Sequence, residues 1–126
     1  MLWERVRLRE HLTPIEVAEE IQRATLMIFP TRADTSPNSV KEAAVAGLPV
    51  VASAIGGIPD YIFPQRNGIL FTPGSVPACV DAIRKACTDP LLGTGQVDAA
   101  TLASVRDYLS PRRMADRFRQ IYRALA

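Results

Sequence analysis

The chain carries a single histidine, His11, and only two cysteines in 126 residues. One histidine with no cysteine or acidic cluster beside it meets no ligand set, so His11 is neither part of a triad nor a metal centre. Cys79 and Cys87 fall on one predicted helix, Val76 to Cys87. Eight residues at a rise of about 1.5 Å set them about 12 Å apart, too far for a disulfide. They read instead as small buried apolar residues in a reducing compartment. No apolar run approaches the roughly 20 residues that span a bilayer, and Met1-Leu2-Trp3 opens no secretory signal; the expectation is a cytoplasmic protein. A net charge of +2 is too small to favour nucleic acid as a partner. There are no internal repeats or low-complexity stretches. With 48% hydrophobic and 22% charged residues, the composition is that of one α/β domain with a modest core.

What the chain does have is concentrated between Phe29 and Asp60, FPTRADTSPNSVKEAAVAGLPVVASAIGGIPD. Leu26 to Phe29 is a short apolar run stopped by Pro30, as expected of a buried strand. A polar loop containing Asp34 follows. Ser36 suits an N-cap and Pro37 the first helical position, where a missing N–H costs nothing. The helix predicted over Pro37 to Ala46 ends at Gly47, and Pro49 keeps it from resuming. Val50 to Ala52 reads as the next buried strand, completing a βαβ unit.

This spacing has chemical consequences. A helix N-terminus offers unpaired N–H groups and a positive partial charge, which suit a phosphate. With proline at 37, the donors are mainly the amides of Asn38 and Ser39, together with their side chains. Asn38 and Glu42 lie four residues apart on one helix face, so Glu42 stands one turn beyond a phosphate site, where a carboxylate can accept from a ribose diol. Asp34, before the helix, can take hydroxyls of a group attached to the phosphate. Spacing alone favours the plainer reading, with Glu42 a solvated helix charge and Asp34 a turn residue.

The wording around these carboxylates resembles the C-terminal domain of the large retaining GT-B glycosyltransferase family, family 4 or "group 1". That family shows a Glu, seven residues, a Glu, an Ala-rich helix, Gly-x-Pro-Val-Val-Ala-Ser, a Gly-Gly-x-Pro-Glu turn and Asn-Gly-x-Leu. Here Asp34 replaces the first Glu, and Glu42 is the second. The turn is Gly56-Gly57-Ile58-Pro59-Asp60, and the last element is Asn67-Gly68-Ile69-Leu70. VRLREHLTPIEVAEEIQRATLMIFPT upstream and DYLSPRRMADRFRQIYRAL downstream fit as well, so the likeness covers nearly the whole chain. It implies that Asp34 and Glu42 are the catalytic carboxylates, with Asp34, Ser36, Pro37, Asn38, Ser39 and Glu42 binding a nucleotide-diphosphate sugar. In such enzymes the backbone of the loop after the first strand here touches the base, which makes Glu10, His11 and Leu12 base-site candidates; by residue type alone His11 is as readily an exposed loop residue. No cofactor and no metal are implied, the nucleotide sugar being the donor substrate.

By the same resemblance, residues 1–126 are one incomplete nucleotide-sugar-binding domain. An acceptor-binding domain and the cations that hold the donor pyrophosphate in relatives are expected to lie outside it. The expected fold is a partial Rossmann-like three-layer sandwich with a mostly parallel sheet of about four strands: Val6 to Leu8, Leu26 to Phe29, Val50 to Ala52 and Ile69 to Phe71. The expected helices are Pro14 to Ala24, with a Thr13–Glu16 capping box, then Pro37 to Ala46, Val76 to Cys87, Val97 to Leu109 and Pro111 to Leu125. Ile58 to Phe63 is expected to be a helical turn. Gly56-Gly57 supplies backbone freedom that either admits a ligand or turns the chain.

In the family's strand order, 3-2-1-4-5-6, the strand Leu26 to Phe29 pairs with a central strand that is absent here. Either Val6 to Leu8 slides across to cover this apolar edge or a second copy covers it; even a closed four-stranded sheet would leave apolar faces bare, so a homodimer is expected. A second chain supplying the other domain is the alternative partner. In the last helix, Arg112, Arg113, Arg117, Arg119 and Arg123 oppose an apolar stripe of Met114, Phe118, Ile121, Tyr122 and Leu125. Such a helix can lie on an anionic membrane, but more commonly the stripe is core and the arginines are solvated. A reading of another class stands beside the enzyme: a non-catalytic accessory domain acting through association.

Overall fold

A computed structural model describes residues 1–125. Thr13 opens α1 (Pro14–Arg23) with the expected capping box: its amide donates to Glu16 Oε2 at 2.8 Å, and its hydroxyl accepts from the Glu16 amide. The strand β1 (Met27–Phe29) leads through a loop into α2 (Asn38–Ala46). Gly47 closes α2 in the left-handed region, φ 83°, donating to the carbonyls of Ala43 and Ala44. Next come β2 (Val50–Ser53), β3 (Gly68–Phe71), α3 (Val76–Thr88), α4 (Ala99–Tyr108) and α5 (Pro111–Leu125).

The sheet is parallel, in the order β1-β2-β3, with Val51 opposite both Ile28 and Ile69. All four residues of β2 are buried, as expected of a central parallel strand covered on both faces. Val50 and Ala52 meet Val40, Ala43 and Ala44 of α2, Ile58, Tyr61 and Ile62 of the following turn, and Val105 of α4. Val51 faces the other way, into Phe71 and the small α3 residues Ala82 and Ala86. The alternation along one strand thus creates the three layers.

Several expectations are corrected. The sheet has three strands among the described residues, not about four. Leu2–Arg5 forms a 3₁₀ turn, and Val6 to Leu8 pairs with nothing. Leu8 is 84% exposed, and Arg9 ties the segment to α1 through Glu20 at 2.9 Å. A strand without a hydrogen-bonded neighbour is not stable in water, so β1 keeps an open edge. The turn after Gly57 is also shorter than expected, a 3₁₀ turn over Ile58–Asp60. Asn67 explains this. Its Oδ1 accepts from the Phe63 amide at 2.6 Å, and its Nδ2 donates to the Tyr61 carbonyl at 2.9 Å, capturing groups that a longer helix would use. Cys87 is exposed rather than buried, because the core face of α3 runs through Ala82 and Ala86 and position 87 turns away from it. Finally, the stripe on α5 is not core: Met114, Phe118, Ile121, Tyr122 and Leu125 are all more than half exposed.

Two side-chain groups fasten the far end of the structure. Asp98 caps α4, accepting from the amide and the hydroxyl of buried Thr101, and Arg66 Nε donates to the same hydroxyl at 3.1 Å. The Thr101 hydroxyl, then its amide, hold the Asp98 carboxyl below its ordinary value of 3.8.

Two outcomes follow. Asn67→Ala should destabilise the chain by about 2–3 kcal/mol in urea unfolding, because it orphans a backbone donor and an acceptor together; a loss within error of zero would refute the staple. The folded-state pKa of Asp98 lies below its unfolded value, so its contribution is complete above about pH 4 and is lost as pH falls through the lower folded value. Asp98→Asn should therefore flatten the fall in thermal midpoint on acidification from pH 5 to pH 2.5; an unchanged slope would remove Asp98 from the acid response.

Candidate functional site

At the carboxyl ends of β1 and β2 two loops are fastened together, which is where open parallel sheets place their ligands. The first loop leaves β1 at Pro30. Thr31 Oγ1 bridges to the carbonyl of Ala33 at 2.9 Å, and Asp34 Oδ1 accepts from the Ser36 amide at 3.0 Å. This Asx turn bends the chain toward α2. The second loop delivers Gly56 and Gly57 against it: the Gly57 amide donates to the Thr35 carbonyl at 2.7 Å. A Cβ on Gly56, at φ 56°, would stand 2.4 Å from the carbonyl oxygens of both Asp34 and Thr35. Between admitting a ligand and turning the chain, the geometry shows a third use for this glycine, close backbone contact with the Asp34 loop.

The Asx turn also shifts the start of α2. Ser36 is not the N-cap. Buried Pro37 takes that position with φ −66° and ψ 129°, and no side chain caps the helix. The amides of Asn38 and Ser39 are left without an acceptor among the described residues, and both residues are exposed. With no acidic residue in the first turn, this is an open anion-binding end.

Glu42, one turn further, is exposed and borders two grooves. One, about 630 Å³, lies between α2 and α5 and also touches Asn38, Lys41, Met114 and Phe118. The other, about 460 Å³, lies between α1 and α2 and is shared with Leu12, Val17 and Ile21. The structure therefore brings Glu42 together with Asn38 on one side and with Leu12 on the other. Glu10 and His11 stay on the exposed surface before α1, His11 in the left-handed region at φ 54°. Asp34 is half-buried, its carboxylate engaged by Ser36.

Sequence reasoning overlooked Tyr61. It is 1% exposed, and its hydroxyl has no hydrogen-bond partner. Burial pushes that hydroxyl's pKa up; the nearby Ser36 hydroxyl pulls it partly back, and the charges of Asp34 and Asp60 add to the rise. In the sequence Tyr61 is one more apolar residue in an Ile-Pro-Asp-Tyr-Ile run, and nothing there marks its hydroxyl. The groove against α5 was equally invisible, because the pattern alone suggested that α5 would bury its stripe.

Comparison with known proteins places this geometry. Residues 2–89 match the family model described as glycosyl transferases group 1. Over 78 residues the chain is 37% identical to the sulfoquinovosyl transferase SQD2 of Arabidopsis thaliana, covering 59% of this chain and 15% of that protein. It is 32% identical over 87 residues to D-inositol 3-phosphate glycosyltransferase 1 of Catenulispora acidiphila, covering 69% of this chain and 21% of that one. Among solved structures, sucrose-phosphate synthase from Thermosynechococcus elongatus superposes with a TM-score of 0.81 at 25% identity, over 98% of this chain and 31% of the enzyme. The chain thus spans well under half the length of each of these relatives. The match covers most of its residues, including Asp34, Glu42 and the Gly56-Gly57 turn, and the chain belongs to the glycosyl transferases group 1 family.

Proposed function

We propose that this chain is the donor-binding part of a retaining glycosyltransferase and holds a nucleotide-diphosphate sugar at the amino end of α2. The observation that carries the reading is the uncapped helix end, with the free amides of Asn38 and Ser39 one turn from the Glu42 carboxylate. The diphosphate sits against these amides beside Ser36 and Pro37, where the helix dipole offsets charge on the leaving phosphate without a metal ion. Glu42 accepts from the ribose diol. The base lies toward Leu12 in the groove between α1 and α2, with Glu10 and His11 on the exposed segment just before Leu12. Asp34 takes hydroxyls of the donor sugar. Its engagement with the Ser36 amide fixes one carboxylate oxygen, leaving the other free to accept.

Retaining transfer needs donor and acceptor held together in near-attack geometry. In this reading a further domain or second chain supplies the acceptor. A second reading, association without catalysis, is favoured by a separate observation: the apolar face of α5 and the outer edge of β1 are both uncovered. A homodimer or a partner chain would bury them.

Two experiments separate the readings. In an NMR titration of the pure chain with UDP and GDP, Glu42→Gln should weaken binding by about 1–2 kcal/mol while leaving any response to the free base unchanged. Equal loss for both would refute the ribose assignment. Incubated alone with nucleotide sugars and simple acceptors, the chain should transfer no sugar; sustained product formation would show that its acceptor site is already complete.

A further inference from the structure

We propose that α5 is a surface helix that lays its apolar stripe into an anionic lipid leaflet and sets its arginines among the headgroups. The inference does not rest on the donor-binding reading, and it gives the α5 face a different occupant from a partner chain. The helix draws little support from the body of the domain, and none of its residues is buried. At its start Arg113 pairs with Asp107, and its guanidinium lies 5.9 Å from the centre of the Tyr108 ring. Beyond Arg113, among the described residues, no side-chain hydrogen bond or ion pair joins α5 to another element. Its 15 residues form a rod about 22 Å long. An amphipathic helix of that length takes most of its stability from an apolar surface against its stripe. Here the whole stripe stays more than half exposed, with the Phe118 and Tyr122 rings stacked along it at 6.4 Å.

Charge selects the occupant. The helix carries five arginines and one aspartate, a net +4, on a chain whose total is +2, so the other residues together carry −2. Arg113 and Arg119 have carboxylate partners, whereas Arg112, Arg117 and Arg123 have none among the described residues. Two copies joined α5 to α5 would set +4 against +4, which disfavours a symmetric dimer on this face. Helical spacing puts Arg117 along one border of the stripe, Arg119 past Tyr122 on the other, and Arg123 on the back. Apart from the Tyr122 hydroxyl, the stripe has no polar group with which to read a protein partner. A helix of high amphipathicity, modest hydrophobicity and an arginine-rich polar face is suited to the boundary between headgroups and acyl chains. An anionic leaflet meets the cations on both flanks at once, and the arginine stems lie along the apolar border.

The test is co-sedimentation of the pure chain with phosphatidylcholine vesicles, with and without phosphatidylglycerol. Binding should be about tenfold tighter or more to the anionic vesicles, and added salt should release the chain. Phe118→Glu should weaken that binding more than about tenfold without lowering the urea midpoint, because the side chain is exposed. Arg117→Gln and Arg123→Gln should each weaken it about fivefold. Equal binding to both kinds of vesicle, or unchanged binding in Phe118→Glu, would overturn the proposal. So would a chain that ignores vesicles but forms a dimer that Phe118→Glu dissolves, which would make the face an interface between copies. A chain that ignores vesicles and binds poly-glutamate would assign the face to an acidic polypeptide instead, again overturning the proposal. No nucleotide enters the assay, so its outcome is separate from that of the donor-binding reading.

Discussion

The hydrogen bond from the Gly57 amide to the Thr35 carbonyl, made possible by the missing side chain at Gly56, holds together the two loops on which the candidate site is built. Without that contact, the hydrogen bonds on the loop after β1 would be local ones, the Thr31–Ala33 bridge and the Asx turn at Asp34. With it, the position of Asp34, the start of α2 and the direction of its free amides are all referred back to β2, the most deeply buried strand. Any Cβ at Gly56 would force two carbonyls away, so the constraint acts on the site rather than on the core.

How much of this was readable from the residues depends on whether a local rule or a distant neighbour decides each one. The Thr13–Glu16 box and the left-handed Gly47 are local, and both stand where the sequence puts them. β2 is recognisable because a strand covered on both faces is apolar at every position. Val6 to Leu8 has the composition of a strand but no partner, and pairing is a property of two segments. Ser36 is a good N-cap by type, yet the Asp34 side chain takes its amide and moves the helix start by one residue. The structure places Asn38 and Glu42 on one groove and Leu12 with Glu42 on another. Tyr61 was illegible because its hydroxyl acquires meaning only from what surrounds it.

Membership of the glycosyl transferases group 1 family and the exposed surfaces of this chain are consistent with each other. The chain corresponds to 31% of sucrose-phosphate synthase from Thermosynechococcus elongatus, and its α5 face and β1 edge are where further protein would find apolar contacts. The groove between α2 and α5 joins the two themes. It is lined by Asn38 and Glu42 on one wall and by Met114, Phe118 and Ile121 on the other, so a molecule packed on α5 would also border the candidate site.

The account turns on the amino end of α2 as the seat of a diphosphate, and one measurement addresses that directly. Backbone amide shifts of the chain should be followed while UDP and GDP are added, with residue assignments through α2 and the loop before it. The largest changes are expected at the amides of Ser36, Asn38 and Ser39, with smaller ones at Gly57. Changes confined to other surfaces, such as the arginines of α5, with no response from Asn38 and Ser39, would contradict the account at its centre.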